Sequence, residues 1–199
     1  MNSEDDTDHY KKLSDNIYIV SKNYFAANKR LLLHNSFSQW TLSLLSLGLI
    51  IIPLLIVTKI PLRFQQNIID FASIGLAVAV LMLSLLIGAN NYSLRGEKMY
   101  QTGLELNELY RDMKQFESND SRMNHFSKFS RRYSDILRRY ENVDDIDYIK
   151  GKISRIRDKP IPLMLQINYY FKLTLEMIIY IIALILEFGF IGLLVTKNV

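Results

Sequence analysis

The sequence predicts an all-α membrane protein, and three observations carry that fold class. Two apolar runs, Thr41–Val57 and Phe71–Ala89, contain no charged residue. A third, Leu173–Val195, is interrupted only by Glu176 and Glu187. Much of the remaining chain repeats apolar residues in alternating steps of three and four, the spacing of one helix face. Each apolar run is close to the roughly 20 residues a helix needs to cross a hydrocarbon layer about 30 Å thick. The predicted order is an N-terminal amphipathic helix (1–37) and a transmembrane helical hairpin (38–91, spans about 40–58 and 71–90). A cytoplasmic helical bundle (92–168) follows, entered through the second helix as a stalk, and a third transmembrane helix with a short tail (169–199) ends the chain.

Composition supports that division. Of the 199 residues 49% are hydrophobic, yet mean hydropathy is only +0.06, so the apolar residues are gathered in blocks between very polar stretches. With no cysteine there is no disulfide framework, thiolate metal site or thiol nucleophile. His9, His34 and His125 lie far apart and form no metal-ligand spacing. The acidic start, MNSEDDTDHY, and the late first apolar run do not fit a cleaved secretory signal.

Residues 8–36 read as a helix leading into the membrane. Tyr10, Leu13, Ile17, Val20, Tyr24, Ala27 and Leu31 form the a/d seam of a coiled coil or bundle helix. Ser14, Asp15, Asn16, Ser21, Lys22, Asn28 and Lys29 fall off the seam and are expected to face water. Trp40 suits the membrane interface. Ser43, Ser46 and Gly48 permit close helix approach in the first span, and Pro53 removes a backbone donor there.

After a connection carrying Lys59, Arg63 and Asp70, the second span meets no proline or clear stop beyond Asn90 and Asn91. Met99, Thr102, Leu106, Leu109, Met113 and Phe116 resume the rhythm, which predicts one helix to about Glu117, on the order of 70 Å long. Gly103 is its weak point. Ser118–Ser121 breaks that helix and caps the next. In the next helix Phe126, Phe129, Tyr133, Ile136 and Tyr140 make one face, and Lys128, Arg131, Arg132, Arg138 and Arg139 make a basic one. A basic face with interleaved aromatics can bind nucleic acid or anionic lipid, or be the solvated side of a bundle helix. A short helix through Ile149, Ile153 and Ile156 ends before Pro160 and Pro162.

Tyr169, Tyr170 and Phe171 resemble an interfacial aromatic belt ahead of the third span. Glu176 and Glu187 are eleven residues apart, which puts them within about 20° of one another on the helix. They are the pore-lining candidates of a subunit ring. The alternative is a pair of buried glutamates bonding a neighbouring helix. Basic residues set the orientation. The connection between spans one and two has Lys59 and Arg63, whereas Lys29, Arg30, Arg95, Lys98, Arg155, Arg157, Lys159 and Lys172 flank the other side. The N-terminus and central region are therefore expected in the cytoplasm, with the chain multi-pass in a cell membrane.

Nothing in the chain has the pattern of a nucleotide-binding glycine loop, a nucleophile elbow or a metal-binding His-Glu helix. Glu141, Asp144, Asp145 and Asp147 cluster, but a helix start rich in capping residues accounts for them as well as a cation site does. The expectation is a non-enzymatic, self-associating protein with no cofactor and no metal.

Three stretches carry a family resemblance: NKRLLLHNSFSQW before the first span, NNYSLRGEKMYQTGLELNEL after the second, and YSDILRRYENVDDIDY. Over residues 10–160 they resemble the SLATT superfamily, two-transmembrane effector modules associated with SMODS nucleotide cyclases and SLOG ligand sensors. The reverse-transcriptase-associated subgroup is the most similar. Tyr133, Leu137, Asn142, Asp147 and Tyr148 fit the family pattern, and Val143 stands where the pattern has histidine.

The resemblance implies a bacterial anti-phage or conflict-system effector that opens a pore when a sensor or reverse-transcriptase partner signals infection. It implies membrane depolarisation and abortive infection. A second reading is a non-conducting anchor or scaffold whose cytoplasmic helices recruit a partner enzyme. From the residues themselves, the basic Arg131–Arg139 face is read first as the solvated side of a bundle helix, so nucleic acid is not expected as a direct ligand, and a nucleic-acid-binding protein tethered by its spans is the third reading.

Overall fold

The computed structural model describes residues 3–58, 62–116, 122–155 and 163–196. Among these residues six helices follow in order: α1 (Ser3–Val57), α2 (Gln66–Asn90), α3 (Tyr92–Phe116), α4 (Arg122–Arg139), α5 (Asp145–Arg155) and α6 (Leu163–Val195). No strand occurs among the described residues, so the all-α expectation holds. Among the described residues three helical runs, Asp8–Val57, Gln66–Phe116 and Leu163–Val195, are long and apolar enough to cross a membrane. The pre-membrane helix and the first apolar run are one helix, α1, with Pro53 inside it. Ser118–Ser121 and the stretch from Ile156 to Pro162 lie outside the described residues.

One expectation changes at the start of the stalk. Asn91 takes the left-handed conformation (φ 46°) and separates α2 from α3. Asparagine is one of the few residues that adopt this geometry at low cost, so it breaks the helix without proline or glycine.

The helices gather into two compact units, Met1–Leu32 with Ser93–Leu173 and Leu33–Tyr92 with Thr174–Val199. In the first, Tyr10, Ile17, Tyr24, Ala27 and Leu31 of α1 are buried with Met99, Leu106, Leu109 and Met113 of α3 and Phe129 and Ile136 of α4. Each fully buried aliphatic side chain contributes about 1.5–3 kcal/mol. The inward stripe of α1 is wider than its apolar residues suggest. Ser14 and Ser21 are buried, contrary to the expectation that they face water, while Leu13 and Val20 are half-buried. The small serines let neighbouring helices approach, and Ser21 satisfies its hydroxyl on Tyr18 O. Gly103 has a similar use: a Cβ there would stand 2.9 Å from Phe25 Cε1, so the weak point in α3 is where that ring seats.

Polar side chains fix the register of this bundle. Tyr10 Oη donates to Met113 O (2.7 Å), and Tyr24 Oη donates to Glu141 O (3.2 Å). Arg30 Nε and Nη2 donate to the two oxygens of Asp147 at 3.1 Å each, and Nη2 also bonds Asp144. Arg30 is 8% exposed and Asp147 1%, so the pair is sealed from water. Burial raises the Asp147 carboxyl above the usual range, and Arg30 opposes that rise.

In the second unit Ile52 of α1, Ile69 of α2 and Leu194 of α6 form a buried apolar cluster, flanked by Ile56, Leu62, Phe64, Leu76, Phe190 and Ile191. The chain entering α2 is tied down there, because Arg63 N donates to Leu194 O (3.2 Å) and Phe64 stacks on Phe190. The opposite face of α2, including Phe71, Ile74, Val78, Leu81 and Leu85, is exposed along its length.

Removing Arg30 leaves Asp147 buried without its counter-charge. Arg30→Met should cost about 3–5 kcal/mol in the unfolding free energy of the detergent-solubilised chain, and Asp147→Leu in the same chain should recover most of it. The loss should also depend on pH. A carboxyl raised by burial contributes stability below its unfolded pKa and loses it as pH rises through the folded one. The Arg30→Met deficit should therefore be smaller near about pH 5 than near about pH 8.

Candidate functional site

Within the second unit, α1 and α6 each carry a heptad seam. On α1 it runs through His34, Ser38, Thr41, Leu45, Gly48 and Ile52, and on α6 through Met177, Tyr180, Leu184, Glu187, Ile191 and Leu194. The three-four alternation keeps each stripe on one side of its helix over several turns. Unlike an ordinary coiled-coil seam, this one holds polar groups at buried positions: His34, Ser38, Thr41, Tyr180 and Glu187.

The seam has a polar end. His34 Nε2 and Glu176 Oε2 share a hydrogen bond of 2.9 Å, and the imidazole stacks on Tyr92 and meets Tyr180 edge-on. His34 Nδ1 is buried and has no partner among the described residues. Glu176 lies beside Met177 on this face and is about one-third exposed. Sequence spacing places Glu176 on a face, but not its partner. His34 became legible as a site residue only once α1 and α6 were known to be adjacent. Its position three residues beyond Leu31, in step with the seam, was the available signal.

Three turns along α6, Glu187 is 5% exposed, and neither of its carboxyl oxygens has a hydrogen-bond partner among the described residues. Gly48 makes the room for it. A Cβ at Gly48 would stand 2.6 Å from Glu187 Cδ and 3.1 Å from Cγ. Even as a neutral acid, a buried carboxyl without partners costs a few kcal/mol relative to a hydrated one. One turn beyond Gly48, the Ile52–Ile69–Leu194 cluster closes the seam with aliphatic side chains. The arrangement is thus a file of titratable and hydroxyl side chains ending at an apolar plug.

The other predicted positions lie in the first unit. Asp147 holds Arg30, as described. Asn142 Oδ1 accepts from Val143 N (2.9 Å) and from the Tyr148 hydroxyl (3.5 Å), which shapes the turn into α5. Leu137 and Tyr133 are half-buried on α4, and burial raises the Tyr133 phenol above its usual range. Val143, at the histidine position of the resembled pattern, is buried beside Ile146. These positions organise the α4–α5 corner.

The acidic cluster is also engaged. Asp144 and Asp147 bond Arg30, and Glu141 takes a two-pronged contact from Arg95 (Nε 3.0 Å, Nη2 2.6 Å). No group of residues that could hold a metal ion occurs among the described residues.

On the basic face of α4, Arg132 pairs with Asp112 and Arg139 with Glu105, both on α3. Lys128, Arg131 and Arg138 are exposed. Two of the five cations therefore tie helices together.

The Gly48 seat is testable. Gly48→Leu should force the carboxyl out and destabilise the chain. In a double-mutant cycle with Glu187→Ala, unfolding in detergent should report a coupling of about 1–3 kcal/mol.

No curated protein and no solved structure matches this sequence. One family does, over residues 6–197, a stretch that takes in α6 as well as the hairpin and the cytoplasmic motifs. The polar helical seam and the Asn142–Asp147 corner are accordingly features of a member of the SMODS and SLOG-associating 2TM effector domain family 5, SLATT_5, to which this chain belongs.

Proposed function

We propose that this chain is the oligomeric, membrane-permeabilising effector of a bacterial conflict system, held closed along its α1–α6 seam until a partner engages its cytoplasmic helices. Family membership suggests a membrane effector in conflict systems. Conduction, depolarisation and triggering are our reading. The observation that carries it is Glu187, a carboxyl buried against Gly48 with both oxygens unpartnered among the described residues.

Such a group makes the closed packing costly, and separating α6 from α1 lets water reach it. Hydration of Glu187 and Glu176 then offsets the apolar surface exposed at the Ile52–Ile69–Leu194 plug. Carboxylates lining a wet path favour cations, and an aliphatic constriction blocks ions by excluding water. The exposed apolar face of α2 suits either lipid or a second copy, which supports assembly into a ring.

In this reading the N-terminus and the Tyr92–Lys172 segment are cytoplasmic, following the excess of Lys and Arg on that side. The trigger is a ligand sensor or a reverse transcriptase acting on that segment.

The test is membrane potential in cells expressing the full chain with its activating partner. Wild type should depolarise them. Glu187→Leu relieves the cost of the closed state and should cut ion flux about tenfold or more, since about 1.4 kcal/mol of added closed-state stability corresponds to each factor of ten. Expression and membrane insertion should be unchanged. Full potential with wild type and partner present would exclude conduction and leave the scaffold reading. Equal flux through Glu187→Leu would remove the carboxyl from the mechanism.

A further inference from the structure

The first unit contains a cleft of about 450 Å³ whose lining includes Lys22, Phe25, Asn28 and Lys29 of α1, Tyr100 of α3 and Lys150 of α5. Its chemistry differs from that of the other charged surfaces. The Arg132 and Arg139 cations on α4 are paired with acids of α3, whereas no carboxylate among the described residues pairs with Lys22, Lys29 or Lys150. Lys22 Nζ lies 5.1 Å from the Tyr18 ring centre and 5.9 Å from that of Phe25, and Lys150 Nζ lies 4.8 Å from that of Tyr169. Aromatic faces hold these ammonium groups without neutralising them.

The rings have their own place. Phe25 is seated against Gly103, where a side chain would collide with it, and its centre is 5.8 Å from that of Tyr100. Tyr100 is 39% exposed, which leaves aromatic surface open to the cleft. Three uncompensated ammonium groups beside two aromatic rings form a surface that neither the bundle core nor the ion pairs of this unit explain. A phosphate-bearing ligand with a planar aromatic ring satisfies both parts. Its phosphates would take the lysines, its ring would lie against Tyr100 and Phe25, and the Asn28 amide would supply a polar contact.

We infer that this cleft binds a nucleotide-type ligand, a small molecule joining a planar base to one or more phosphates. The inference is independent of conduction, because binding is read directly and does not require a pore.

The experiment is equilibrium binding to the full chain in detergent micelles, using the four ribonucleoside triphosphates, tripolyphosphate and the free nucleosides as probes. At least one triphosphate should bind more tightly than both tripolyphosphate and its own nucleoside. Tyr100→Ala should weaken that triphosphate about tenfold and leave tripolyphosphate unchanged, because only the first loses a stacking partner. Lys22→Gln with Lys150→Gln should weaken both about tenfold or more. Melting temperatures measured alongside would identify a variant that fails through misfolding, and Lys29→Gln, at an exposed position, provides a second cation variant.

Equal affinity for triphosphates and tripolyphosphate, with Tyr100→Ala without effect, would overturn the inference in favour of a bare phosphate site. Competition by phosphatidylglycerol mixed into the micelles that is lost in the lysine variants, with no preference for a base, would assign the lysines to lipid headgroups. Absence of binding by every probe at millimolar concentration would also overturn it.

Discussion

A single stripe down α1 is the constraint from which the rest follows. Buried positions recur on it from Tyr10 to Ile52, through sequence that is polar at one end and apolar at the other. The helix therefore presents the same kind of surface to partners in two different surroundings. In the first unit the apolar members of the stripe are driven together by loss of water contact. In lipid that drive is absent, and close packing with polar contacts must hold helices together instead. The stripe changes composition to match. Tyr10, Ile17, Tyr24 and Leu31 give way to His34, Ser38, Thr41 and Gly48.

The two units also treat buried charge differently. Asp147 meets a guanidinium fork, and Asp144 bonds the same arginine, so each costly group has a compensating neighbour. Glu187 meets a glycine, and neither of its carboxyl oxygens has a hydrogen-bond partner among the described residues. The two buried carboxyls are thus satisfied to different degrees among the described residues. In the function proposed above, the α4–α5 corner is the fixed part and the seam of the second unit is the part that opens.

Much of this was legible in the sequence because helices announce themselves through periodicity. The three spans follow from uncharged or nearly uncharged runs, and the inward faces of α3 and α4 follow from Leu106, Leu109 and Met113 and from Phe129 and Ile136. What stayed hidden depends on neighbours. Ser14 and Ser21 are polar by type, yet they lie where another helix presses close, a property of distance that hydropathy cannot express. Asn91 ends a helix by its tolerance of a positive φ, which its flanking residues do not signal. Glu176 and His34 are 142 residues apart, and only the pairing of α1 with α6 joins them. The resemblance was drawn over residues 10–160, whereas the family match runs over residues 6–197 and so takes in α6.

Gly48 and Glu187 occupy what is in effect one shared volume. Mutational drift at either site is therefore conditional on the other. A lineage that acquires even a methyl group at position 48 must reorient or shorten the acid at 187, and one that loses the acid leaves a void that a bulkier residue at 48 can fill. Correlated substitution between these two distant codons, among chains that keep the same helix pairing, is the evolutionary trace this contact should leave.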